Sequence, residues 1–172
     1  MKRFSIALLL MSAVLLPHTS KASGFEHSTA VRINDHTVMF LLSYQFGHKK
    51  YDYRVPYAAV RGEGASTTLS YDIVNGDGLR TSAGTAYAIV LSKAKLDQGQ
   101  YVVKHRKPEE FTLVAFLNLP AGKSASSTTY ALKVNSLPFM ISENGTYYKN
   151  GLTAGELTDY RTAVVDTTWL PK

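Results

Sequence analysis

Across residues 36–46 the chain alternates: Val38, Phe40, Leu42, Tyr44 and Phe46 fall on one side of an extended backbone, and Met39, Leu41, Ser43 and Gln45 on the other. Successive side chains of a strand point to opposite faces, so a period of two predicts a β-strand. Gly47-His48 offers a turn, after which Tyr51, Tyr53, Val55 and Tyr57 alternate with Asp52, Arg54 and Pro56. The two segments together predict a hairpin. Pro56 has no N–H to donate, which places its strand at a sheet edge or at a bulge. Residues 67–74 repeat the pattern with Leu69, Tyr71 and Ile73. Asn75-Gly76-Asp77-Gly78 then marks a turn, because Asn and Gly accept positive φ.

Further strands are expected over 85–91 and 101–104. Phe111, Leu113, Ala115, Leu117 and Leu119 form the most apolar alternating face, opposite Thr112, Val114, Phe116 and Asn118. With both sides largely apolar, this strand belongs at the centre of the fold. Tyr130, Leu132 and Val134 make another strand, which Pro138 separates from residues 139–141. One helix is expected near 153–160, where Thr153 and Glu156 form a capping box ahead of Leu157 and Tyr160. Residues 162–165 suit a closing strand.

Eight or nine short strands at this spacing predict an all-β fold, an antiparallel β-sandwich of immunoglobulin-like or jelly-roll type, with barrel closure as the competing arrangement. There is no internal repeat and no long linker. The Ser/Thr/Ala tract at 123–129 reads as one exposed loop, so residues 23–172 form a single domain.

The N-terminus has the three parts of a cleavable signal peptide. Lys2 and Arg3 are the charged region, residues 4–16 form an apolar run broken only by Ser5 and Ser12, and Ser20-Lys21-Ala22 is the small-residue site. Cleavage is expected after Ala22, with Ser23 or Gly24 as minor variants. Pro17-His18 ends the run short of the roughly 20 residues that a membrane span requires. With no cysteine for a lipid anchor and no hydrophobic tail, the product is expected free in the periplasm or the medium, without membrane insertion.

Removing the leader changes the charge picture. The whole chain carries +6, whereas residues 23–172 hold sixteen Lys and Arg against thirteen Asp and Glu, or +3. The basic residues are dispersed apart from Lys49-Lys50 and the run from Lys104 to Lys107. That is not the stripe of a nucleic-acid binder, and no nucleic-acid partner is expected. Mild positive charge on an exported domain first serves solubility, with weak attraction to acidic envelope polymers as the sharper alternative. Zero cysteines excludes disulfides, thiol catalysis and cysteine-based metal sites, so stability must come from packing.

No catalytic constellation emerges. Gly122-Lys123-Ser124 lacks the glycine of a phosphate loop, since Leu117 stands five positions before Gly122. A calcium loop ending its turn on Gly78 would put its first ligand on Ile73 and its bidentate acid on Gly84. His27, His36, His48 and His105 form no metal-ligand spacing. There is no G-x-S-x-G elbow, and the adjacent Glu109 and Glu110 would face opposite ways on a strand. No cofactor is expected.

The aromatic content is more suggestive. Eleven tyrosines include Tyr51, Tyr53 and Tyr57 beside the first hairpin, and Tyr147 and Tyr148 in a loop between two Asn-Gly turns. Tyrosine joins an apolar ring to a polar tip, which suits glycan stacking and protein interfaces, although it is more often simply a favoured strand residue on a half-buried face. These five are the candidate ligand or interface residues.

Several stretches occur together: Tyr44-Gln45-Phe46-Gly47, Phe111-Thr112-Leu113, Tyr130-Ala131-Leu132 with Leu137-Pro138-Phe139, and Leu152-Thr153-Ala154-Gly155-Glu156-Leu157 followed by Tyr160. The combination resembles a loose group of small exported bacterial proteins of β-sandwich type. The resemblance implies fold and export, and no site residue. The residues thus favour a non-catalytic exported envelope or extracellular interaction module that meets a protein partner or its own kind. One version donates residues 31–46 as a strand in a surface fibre. A glycan or small-ligand domain on the tyrosines is the alternative, and a hydrolase with a composite acid site is third.

Overall fold

Alternation of covered and open positions sets the strands of the computed structural model, which describes residues 27–34, 36–63, 67–82, 84–120, 129–152 and 165–166. Among them the chain forms twelve strands and no helix: β1 (His27–Asn34), β2 (Thr37–Phe46), β3 (Asp52–Pro56), β4 (Ala59–Arg61), β5 (Leu69–Asn75), β6 (Thr85–Ser92), β7 (Lys95–Asp97), β8 (Gln100–Val103), β9 (Glu109–Asn118), β10 (Thr129–Glu143), β11 (Thr146–Leu152) and β12 (Val165–Asp166). The count exceeds the eight or nine expected because β1, β4, β7 and β11 are additional while the segments 130–134 and 139–141 join as β10; β4 and β7 have only three residues each. So short a strand leaves no readable alternation.

The strands form two sheets. One has four antiparallel strands in the order β1-β2-β9-β6. The other has eight, ordered β4-β5-β10-β3-β8-β7, with β11 and β12 also paired to β10. The sheets pack face to face as a β-sandwich. All its ladders are antiparallel except β4 with β5, a short parallel pair that makes the second sheet mixed.

The core lies between the sheets. Val38, Phe40 and Leu42 of β2 and Phe111, Leu113 and Leu117 of β9 meet Val55, Leu69, Tyr71, Ile73, Val103, Leu132 and Val134 from the other layer. Each fully buried aliphatic or phenyl side chain contributes about 1.5–3 kcal/mol relative to exposure. At one end the core is aromatic: Phe46 lies 5.8 Å from Phe111, 5.1 Å from Phe139 and 5.5 Å from Tyr53, centroid to centroid. Tyr101 of β8 donates its buried hydroxyl to the Val90 carbonyl of β6 at 3.0 Å, tying one sheet to the other.

Four local expectations are corrected. The predicted hairpin over 36–57 does not form, because β2 and β3 belong to different sheets and Gly47-His48 carries the chain between layers. That crossing lets the apolar sides of both strands face one core. Next, β3 is internal, flanked by β10 and β8; Pro56 is tolerated as its last residue, past the stretch 52–54 that pairs with β10. Third, Pro138 does not break the strand. β10 runs through all 15 residues, shifting register between Val134 and Ser136 as it leaves β5, and Pro138 then stands opposite Gly151 of β11. Finally, Tyr147 and Tyr148 lie on β11 rather than in a loop. Only the first Asn-Gly pair turns the chain, with φ of 53° at Asn144 and 85° at Gly145, as a two-residue primed hairpin turn requires.

The helix expected at 153–160 and the leader 1–22 lie outside the described residues, as does most of the tract 123–129. Of 162–165 only Val165 is described, and it begins β12 against Thr129 and Tyr130.

Candidate functional site

Two surfaces stand out, one apolar and one basic. The first is the outer face of the four-stranded sheet. Directly opposed residues of antiparallel strands project to the same side, so register alone defines its rows. One row runs Val31, Met39, Phe116, Tyr87 across all four strands, and the next runs Thr29, Leu41, Val114, Ile89. Leu91 adjoins them opposite Thr112. Tyr87 is 57% exposed, Leu91 49%, Ile89 42% and Val31 40%, whereas the opposite faces of β2 and β9 are sealed in the core. Tyr87 and Phe116 stack with centroids 5.1 Å apart and planes 21° apart.

Polar pairs border this face. Thr37 donates to Asn118 at 2.8 Å at one end, and Ser43 meets Thr112 at 3.1 Å at the other. Glu110, opposite Gln45, is the one charged residue on the face among positions 37–45, 85–91 and 110–118. A contiguous apolar patch with a polar rim is the surface signature of a docking site. The sheet's two edges differ. β6 is partly closed by the bridge between Ala58 and Ile89 and by the Val90 N–H bonded to the Tyr57 carbonyl at 3.0 Å. Among the described residues, β1, at the other edge, pairs only with β2.

The second surface is one end of the sandwich. The 47–51 segment, from β2 to β3, and the 104–108 segment, from β8 to β9, both cross between the sheets and lie side by side. The Arg106 N–H donates to the His48 carbonyl at 2.8 Å, and a Cβ on Gly47 would sit 2.6 Å from the Pro108 Cα. Asp52 anchors the pair: it accepts from the His105 N–H at 2.8 Å, the His105 ring at 2.9 Å and Lys104 Nζ at 2.9 Å. Burial pushes its carboxyl up, but the His105 N–H, Lys104 and the His105 ring outweigh burial and hold it at about 2. Asp52 in turn raises Lys104 above the usual lysine range.

The five candidate tyrosines do not share one surface. Tyr53 is buried among Phe46 and Phe139. Tyr51 is half-buried and stacks on His48 at 4.7 Å. Tyr57 is exposed beyond β3, beside β6. On β11, Tyr147 covers the Arg54 guanidinium at 5.1 Å, and Tyr148 is exposed. Hydrogen bonding to Tyr147, followed by the 2.9 Å pair with Asp97, raises Arg54 further. Tyr53 and Tyr148 flank Ile141 in one row across β3, β10 and β11, while Tyr147, next to Tyr148, alternates to the opposite face.

Among the described residues, no three His, Asp or Glu side chains gather in a metal-binding group. A hollow lined by Pro56, Thr67, Gln100, Pro138, Phe139, Met140 and Lys149 has room for about one water molecule, too little for a small-molecule ligand.

The sequence reading missed Val31, Tyr87, Ile89, Leu91 and Phe116 as surface residues. A signal existed, since β9 is apolar on both sides and Met39 and Leu41 make the back of β2 apolar too. Periodicity says that a face is apolar; it does not say what covers it. No family model matches the chain, and no curated protein is significantly similar to it.

Proposed function

We propose that this protein is an exported, non-catalytic interaction module whose four-stranded outer face docks a second copy of the same chain. The observation that carries the reading is the apolar row from Val31 to Tyr87, with Ile89 and Leu91 beside it. Its chemistry favours a like partner. The face is nearly uncharged, so two copies meet without repulsion and neither leaves a charge buried without a counter-charge.

The area also suits a second copy. Four strands about 4.8 Å apart and about eight residues long cover roughly 500 Å². Two such faces bury about 1,000 Å² together, at the threshold of a specific interface. The dimer is therefore a weak one that dissociates on dilution. The leader supports placing this association outside the cytoplasm, in the periplasm or the medium. The fibre version, with residues 31–46 as a donated strand, loses ground because β2 already sits between β1 and β9 in its own core.

Because the chain has no cysteine, single-cysteine variants report proximity cleanly. Ile89→Cys, on the face, is expected to form an oxidised dimer much faster than Tyr148→Cys, a more open position on β11. Equal rates would refute docking through this face.

A further inference from the structure

We infer that the basic end of the sandwich is a binding platform for an anionic polysaccharide. Lys49 and Lys50 on one inter-sheet segment and Lys104, Arg106 and Lys107 on the other are all exposed. The sequence separates the groups by more than fifty residues. The fold joins them through the Arg106–His48 backbone bond and the Gly47–Pro108 contact. Five of the sixteen cations of residues 23–172 thus stand on two adjoining segments that hold no acid between 47–51 or 104–108. Asp52, at their base, neutralises Lys104 and holds His105; Glu109 and Glu110 begin β9 at the border.

The platform is pre-shaped. The Lys107 N–H donates to the Lys104 carbonyl at 3.1 Å, closing a turn in which Arg106 adopts φ of 63°, a conformation L residues rarely take. On the other segment the Lys50 N–H donates to His48 Nδ1 at 3.1 Å, and the His48 ring stacks on Tyr51 with planes 18° apart. Ordering entropy at these positions is already spent on folding, so less is lost on binding.

Exposure selects a polymer over a small ion. Each open cation is screened and weak alone, so useful affinity needs several anionic groups on one chain acting together. Four of the five cations are lysines, point charges that accept carboxylate, sulfate or phosphate without the bidentate preference of arginine. The half-buried Tyr51–His48 pair adds an aromatic surface of the kind that suits a sugar ring. Choosing a polysaccharide over nucleic acid rests on the export part of the proposed function; the charge argument does not.

The test uses the protein from Ser23 onward, with heparin and polygalacturonate as anionic probes, neutral dextran as control, and DNA and phosphatidylglycerol vesicles as rivals. Expected is saturable binding to the anionic polysaccharides, none to dextran, and affinity falling steeply with salt. Lys49→Glu with Lys50→Glu, and Lys107→Glu alone, should each weaken binding about tenfold or more, while Arg32→Glu, exposed near the opposite end of the sandwich, should change it little. Repeating the series in an Ile89→Lys background separates it from self-association, since the platform should bind the probes there too. Equal loss in the Arg32→Glu control, or no binding to either anionic polysaccharide, would overturn the platform. Tighter binding to DNA or vesicles than to either polysaccharide would overturn the ligand class.

Discussion

Asp52 draws together the backbone of one inter-sheet segment, a histidine ring and a lysine, and no neighbour in sequence announces it. Its folded value of about 2 lies below the usual aspartate value of about 3.9, so its contribution to stability is complete above about pH 4 and disappears as the pH falls toward 2. Asp52→Asn is expected to lower stability near neutral pH by about 1–3 kcal/mol, the scale of hydrogen bonds to a charged group. Thermal melts from pH 6 to pH 2 should show the variant and the parent converging as the pH drops; a constant gap would contradict the assignment. The two basic clusters were visible in the sequence as Lys49-Lys50 and the 104–107 run. Their adjacency was not, because it depends on which strands cross between sheets. Tyr53 shows the opposite limit: its ring suits a glycan as well as a core, and only its place against Phe46 and Phe139 decides for the core.

At the level of elements, alternation was a reliable guide and breakers were less so. β2 alternates between half-open and buried positions along its entire length, as the pattern of Val38, Phe40, Leu42, Tyr44 and Phe46 requires. Pro138 misled because a proline ends a ladder only where its N–H is needed. Here β10 has already parted from β5, and the residue opposite, Gly151, has no side chain to meet the ring. That pairing is testable. A Cβ at Gly151 would lie 3.2 Å from the Pro138 Cα and 3.4 Å from the Leu137 carbonyl oxygen. Gly151→Val should therefore cost about 1–3 kcal/mol by forcing the β10–β11 hairpin apart, read as a lower urea midpoint. An unchanged midpoint would mean that the two strands do not approach as closely as described.

Sheet membership is the property of the whole molecule that the sequence concealed. Period two assigns a residue to one side of its strand, and it does not say whether a second layer lies over that side. Both sides of β9 are apolar, which reads as central, and β9 is indeed flanked by β2 and β6. One side is sealed by the eight-stranded sheet, and the other carries Phe116 between Met39 and Tyr87 in the open row. A lysine at Ile89 sits on that open side, so the fold should tolerate it while the paired state should not, since two copies would bury two unpartnered charges. The most direct measurement is sedimentation equilibrium of the protein from Ser23 onward and of its Ile89→Lys variant, over about a hundredfold range of concentration. Docking through the open face predicts a reversible monomer–dimer equilibrium in the parent and a folded monomer in the variant. A parent that stays monomeric throughout, or a variant that dimerises as the parent does, would contradict it.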